Sequence, residues 1–274
     1  MGDVKVTPRR PSFSFEGVPR HWFADSAAVT HLVNGVCLLF PAGERFFVRS
    51  VRHYEDRITD PELSAAVRAF YKQEGAHAGA HEKFFARLEE QGFDVEDLLE
   101  RYEKLAFELM EKRFPPSVRL SVTVALEHFT AIMAENALTD GLLDEAHPEM
   151  RRLLAWHAAE EIEHKAVAFD VLQEVAPSYA LRIFGLLLAT ASLAGFWAWA
   201  TRRLLEQDGV DRATARADLG RVRRERPIAR RVFLRGIREY LRPSFHPNDH
   251  DTYALARALF ERLEAEGRLS REAA

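Results

Sequence analysis

The chain has 274 residues, of which 47% are hydrophobic and 29% charged, and its formal net charge is −4. This composition excludes wholesale disorder, and the slight acidity gives no reason to expect nucleic acid as a partner. Cys37 is the single cysteine, so an intrachain disulfide and a cysteine metal site are both excluded, which suits a reducing, cytoplasmic interior.

Residues 1–20 carry Lys5, Arg9 and Arg10 without a following apolar run, and read as a loosely ordered arm rather than a secretory signal. Asp25-Ser26 is suited to cap a helix over 26–40, with Val29, Leu32, Val33, Val36, Leu39 and Phe40 as its apolar positions. Pro41 and Gly43 interrupt the pattern, which resumes through Glu44, Phe47, Val48, Val51 and Tyr54. Asp60-Pro61 starts a second helix predicted to reach Glu90, and Leu63, Val67, Phe70, Glu74, His77, His81, Phe84 and Leu88 fall along one stripe. A shorter helical passage over 94–113 ends at Pro115-Pro116. Ser117 opens a third long helix to about 139, with Leu120, Val124, Glu127, Ala131 and Glu135. His147-Pro148 starts a fourth, to about Val175. No segment alternates over strand length, so no sheet is expected.

Residues 183–200 hold no charged side chain. They span about 27 Å as a helix, and Trp197, Trp199, Arg202 and Arg203 mark one end. Membrane contact, by spanning or by shallow insertion with the bundle at the inner face, is one expectation, and a helix packed on the bundle is the other. From Asp211 to Arg242 the chain is basic and helical, rich in arginine over 221–231. Residues 240–247 read as extended, and 249–266 as a last amphipathic helix. The expected organisation is an arm (1–20), a bundle (21–176) and a C-terminal helical extension (177–274). The fold class is all-α, a ferritin-like four-helix bundle with a di-metal site and additional C-terminal helices.

The chemistry concentrates in Ala155-Trp156-His157-Ala158-Ala159-Glu160-Glu161-Ile162-Glu163-His164-Lys165. At ~100° per residue, His157, Glu161 and His164 share about 60° of one helix face. Glu74 and His77 repeat the Glu-x-x-His unit, with His81 one turn on. Two such units, each accompanied by a lone Glu from another helix, form the ligand pattern of carboxylate-bridged di-metal bundles. Glu44 and Glu127 are the expected lone carboxylates, Glu135 being the alternative to Glu127. Carboxylates bridge two metals and tolerate both ferrous and ferric iron, and imidazole adds a neutral donor. A Glu on a helix stripe that is otherwise apolar is costly to bury without a partner. His81 is placed behind the ligands, orienting one of them, with direct coordination as the alternative. Glu160 and Glu163 are expected to be solvated or behind the ligands, and His128 to face elsewhere.

Over residues 20–260 the chain resembles the bacterial family of predicted metal-dependent hydrolases. The resemblance rests on Gly43-Glu44-Arg45-Phe46-Phe47, Glu74-Gly75-Ala76-His77, the run from His157 to Asp170, and Arg242-Pro243-Ser244-Phe245-His246-Pro247. His157-x-x-x-Glu161-x-x-His164 also resembles the ligand pattern of the di-iron arylamine N-oxygenases, which implies His157 as a seventh ligand. The resulting expectation is a pair of iron ions, with manganese as the alternative. They would be held by Glu44, Glu74, His77, Glu127, His157, Glu161 and His164, and would activate dioxygen to oxidise an unidentified small or lipophilic substrate. The electron donor is unassigned, and a homodimer is compatible with this reading. Hydrolysis at the same metals is the first rival. A non-catalytic iron-handling or membrane-associated protein is the second.

Overall fold

Helix-start chemistry sets the frame of the bundle. The computed structural model describes residues 5–139, 141–225 and 229–271. Ser26 accepts a hydrogen bond from the Val29 amide and opens α1 (Ala27–Cys37). Pro41 occupies the first turn of α2 (Phe40–Arg52), so the proline turns the chain without breaking a helical hydrogen bond. Asp60 accepts from the amides of Glu62 and Leu63 and starts α3 (Pro61–Glu90), within one residue of where the sequence placed it. The connection that follows holds α4 (Val95–Glu103), a π-helical turn over Lys104–Glu108 and α5 (Leu109–Arg113). Next come α6 (Pro116–Thr139) and α7 (Pro148–His164), and the ring of His147 accepts from the Glu149 amide at the head of α7.

The fourth rod is not continuous to Val175. It stops after His164, turns at Lys165-Ala166 and resumes as α8 (Val167–Val175). Lys165 turns away from the bundle axis here, donating from Nζ to Thr252 Oγ1 at 3.0 Å. α2 and α3 pack together, as do α6 and α7, and α3 also meets α7 and α8. Buried Phe46, Phe70, Phe84, Phe129 and Trp156 fill the space between them.

The apolar segment belongs to α9 (Tyr179–Gln207), which Ser178 caps through the Leu181 amide. Among the described residues it is the one helix long and apolar enough to cross a membrane. It lies on α1 and α6 and buries Gly185, Leu186, Ala189, Ala200, Thr201 and Leu204 against them. Two glycines allow this approach. A Cβ on Gly35 would stand 3.0 Å from the Thr201 backbone nitrogen, and one on Gly185 would stand 2.6 Å from the Ser121 carbonyl carbon. Phe184 and Leu187 remain exposed on the opposite stripe.

α10 (Arg212–Glu225), a π-helical stretch over Ala229–Leu234 and α11 (Arg235–Tyr240) make up the basic region. Within the arginine cluster, Arg226 and the side chains of Arg223, Arg230 and Arg231 lie outside the described residues. Residues 241–244 form turns within the expected extended stretch, and His246 keeps extended backbone. The buried Arg182 guanidinium holds them by donating to the carbonyls of Arg242 (2.6 Å) and Phe245 (3.3 Å). α12 (Tyr253–Ala265) packs on α7.

A short ribbon was not expected. β1 (Arg9–Pro11) pairs antiparallel with β2 (Leu269–Arg271), and three residues are too few for an alternation to register in the sequence. The segment expected as an arm therefore meets the far end of the chain, and Val6, Arg9, Phe15 and Val18 are buried.

Candidate metal centre

Four helices deliver the acidic and imidazole side chains to one buried cluster. Glu44 comes from α2, Glu74 and His77 from α3, Glu127 from α6, and His157, Glu161 and His164 from α7; each of the seven is 4% exposed or less. The Glu-x-x-His spacing works as helix geometry requires, because residues three apart stand on the same face one turn apart.

The donors sort into two sets. Glu44, His77 and His157 form one, and Glu74, Glu161 and His164 the other. Within each set the donor atoms lie within 4.8 Å of one another. Glu161 faces both. Its Oε1 is 2.9 Å from His157 Nε2 and 3.5 Å from His77 Nδ1, and its Oε2 is 3.6 Å from His164 Nε2. His164 Nε2 also lies 3.1 Å from Glu74 Oε1 and 3.4 Å from Glu127 Oε2, which brings Glu127 into the second set.

Each histidine presents one nitrogen to the centre and has the other held from behind. His77 Nε2 is 3.1 Å from Glu160 Oε2, His157 Nδ1 is 2.8 Å from His81 Nε2, and His164 Nδ1 is 2.9 Å from Gln73 Oε1. Such partners fix ring tautomer and orientation in metal sites. Glu160 is fully buried rather than solvated, and sits behind the ligands. His81 takes the orienting place the sequence suggested. Gln73 and Arg9 were not foreseen. Gln73 directly precedes Glu74 but belongs to no recognisable spacing. Arg9 reaches in from the segment read as an arm and forks onto Glu163, with both N–H···O distances at 2.9 Å. It also lies 3.5 Å from Glu160 Oε1 and over the Phe260 ring. His128 faces elsewhere as expected, bonded to the Gly236 carbonyl. Glu135 stands outside the cluster, half-buried and within electrostatic reach of Lys165 and Arg235.

The electrostatics show how poorly the donors satisfy one another. Burial, then the neighbouring carboxylates, pushes Glu44 and Glu127 well above the usual carboxylate range. Burial also raises Glu74, against the pull of His164. For Glu161 burial acts upward, but His164 and His157 outweigh it and hold its carboxyl well below that range. His164 is raised in turn, since Glu161 and Glu127 outweigh its own burial. Burial first, and then the His157 charge, lowers His77. Both oxygens of Glu44, Glu74 and Glu127 lack a hydrogen-bond partner, as do Glu161 Oε2, His77 Nδ1 and His164 Nε2. Buried polar atoms are nearly always paired, and a buried charge needs a counter-ion. Orphaned donors converging from four helices therefore fit cations, and the mixture of imidazole and carboxylate suits divalent first-row metals better than soft ones.

A further group, His21, His31 and Asp208, also brings donor atoms together, but the Arg20 guanidinium donates to Asp208 Oδ1. It is read as an ion-pair junction tying the start of the chain to the end of α9. Burial lowers His31 there despite the carboxylate beside it.

Fold and centre together define an all-α protein with a buried Glu/His cluster built to hold metal ions. The chain belongs to the family described as Predicted metal-dependent hydrolase, whose model matches residues 7–251. No curated protein and no solved structure matches the chain.

Proposed function

We propose that this chain is a metal-dependent enzyme working through a dinuclear centre. Glu44, His77 and His157 would hold one ion, and Glu74, Glu127 and His164 the other. Glu161 would bridge them. The observation that carries the proposal is the Glu161 carboxylate, with one oxygen turned to each donor set. Of the two chemistries open to such a centre, we put oxidation by dioxygen first, with iron as the metal. Paired Glu-x-x-His units on bundle helices, completed by lone Glu residues, are the ligand set of oxygen-activating carboxylate proteins. When bound, the metals would supply the electrons for dioxygen reduction.

The protein's own contribution is geometry and dryness. Gln73, His81 and Glu160 hold the three rings in place. Phe70 stands edge-on to His164 at 5.0 Å, Trp156 to His77 at 4.9 Å and Phe40 to His157 at 4.5 Å, excluding water from around the imidazoles. Burial pushes the Glu160 carboxyl up, against the pull of Arg9, and its Oε2 accepts from His77 Nε2–H, which leaves Nδ1 to face the centre.

The second reading is metal-assisted hydrolysis, and the family description favours it. Two metals ~3.5–4 Å apart serve that reaction too, by activating a bound water. Anaerobic loading with ferrous iron followed by exposure to dioxygen separates the two. Oxidation supported by the centre predicts stoichiometric oxygen uptake by the full chain, abolished in Glu161→Ala. If the loaded chain takes up no oxygen yet cleaves neutral esters in a metal-dependent way, hydrolysis is the function.

A further inference from the structure

A cavity of about 450 Å³ lies against one side of the metal centre, within the range of roughly 300–1,000 Å³ typical of small-molecule sites. His157 and Glu161 line it. The other five donors do not, so the cavity meets the centre on a single side. Its remaining wall is apolar, with Val29, Val33 and Phe40 from α1 and α2, Met133 from α6, and Trp197 and Val222 from α9 and α10 among the contributors.

The polar groups with known bonds in that wall are already engaged. The Thr130 hydroxyl donates to the Glu127 carbonyl at 2.9 Å, and the Trp197 indole N–H to the Leu32 carbonyl at 2.7 Å. Among the described residues, Glu161 and His157 are the titratable side chains that line the space. A charged group lodged along the apolar part of this wall, away from the centre, would lose its hydration without an opposite charge to replace it, whereas an apolar one would exchange water for matching wall.

We infer that this cavity is the substrate pocket, that it takes an uncharged apolar chain or ring with its reactive group at the His157–Glu161 end, and that α9 and α10 exist to wall it. The term substrate rests on the dinuclear reading above, whereas the binding itself does not. The inference also accounts for part of the apolar surface of α9, leaving the stripe of Phe184 and Leu187 exposed. One stripe packs on α1 and α6, and Trp197 closes the pocket.

The test is a binding titration of the purified full chain with the neutral fluorophore N-phenyl-1-naphthylamine, displaced by decanol or by decanoate, with metal content measured in parallel. Decanol should displace the probe at least about tenfold more effectively than decanoate, because only the anion suffers uncompensated desolvation. Val33→Trp, which adds bulk on α1 away from every metal-ligating helix position, should weaken probe binding about tenfold or more and leave metal content at the parent level. Decanol should also shift the absorption bands of the metal-loaded chain through His157 and Glu161. No probe binding by the parent chain, equal displacement by decanoate, or unaltered binding in a folded Val33→Trp would each overturn the inference. Probe binding with the expected selectivity in a chain that takes up no metal would keep the pocket and refute the dinuclear reading. The comparison of decanol with decanoate needs no variant, so a Val33→Trp chain that fails to fold does not remove the test.

Discussion

Replacing Arg9 with Met should destabilise the chain by removing one partner of a buried ion pair. The guanidinium and the Glu163 carboxylate are 7% and 9% exposed, and two 2.9 Å hydrogen bonds join them. Removing one partner of a buried pair costs about 3–5 kcal/mol, because the remaining charge stays buried without its counter-ion. Glu163 would keep two donors, Gln73 Nε2 at 2.7 Å and the Thr7 amide at 2.9 Å, which places the expected loss at the lower end, about 3 kcal/mol. At about 2–4 °C per kcal/mol for a chain of this size, the midpoint of thermal unfolding should fall by roughly 6–12 °C, followed by the helical circular dichroism signal. The double variant Arg9→Met/Glu163→Gln should recover most of that fall, since no unpaired carboxylate is left, and the cycle should show a coupling of about 1–3 kcal/mol. A shift under about 2 °C in Arg9→Met, or additive effects in the double variant, would refute the claim that this pair anchors the N-terminal strand to the metal-bearing helices.

Gln73→Leu removes the acceptor at His164 Nδ1 while keeping bulk, and should weaken metal binding about 10–100-fold by competition with a chelator; unchanged affinity would show that the ring needs no orienting partner. The metal-free chain should lose stability as pH rises from about 7 to about 8. Glu160, raised to about 8, and His164, raised well above 6.5, hold protons in the folded state that the unfolded chain has released. Each proton so held changes stability by about 1.4 kcal/mol per pH unit. His31, His77, His81 and His128, all lowered, act in the opposite direction below about 7, where the unfolded rings still hold protons, and Lys165, lowered to about 8, acts so mainly above the window. Metal affinity should rise over the same window, because binding displaces those protons. Thermal unfolding of chelator-treated protein at the two pH values checks the sign, and a midpoint that rises with pH would contradict it.

What the sequence made legible follows from how local each signal is. Glu74/His77 and His157/Glu161/His164 were readable because ligands on one helix must repeat its turn, and no tertiary knowledge is needed to align them. Glu44 and Glu127 needed only the order of helices and an acidic residue on an apolar stripe. Glu160 and Gln73 carry no such mark. They lie behind ligands on a different helix, so their partners appear only once α3 and α7 are packed. Arg9 was obscured twice, by a segment without helical periodicity and by a strand of three residues whose partner lies at the other end of the chain. α9 shows the limit of hydropathy. Its composition satisfies a membrane criterion, but only packing distinguishes the stripe against α1 and α6 from the exposed one. The turn at Lys165-Ala166 follows from nothing in the local sequence, where no proline or glycine stands.

The central claim is that two donor sets joined by Glu161 hold two ions. Its most direct measurement is the metal content of the purified full chain, set beside that of Glu161→Ala. The parent chain should bind two equivalents of a divalent first-row metal, two being the number of donor sets, and Glu161→Ala should retain no more than one tightly held ion. A parent chain that binds one ion or none at neutral pH, or a Glu161→Ala variant that still holds both, would contradict the account.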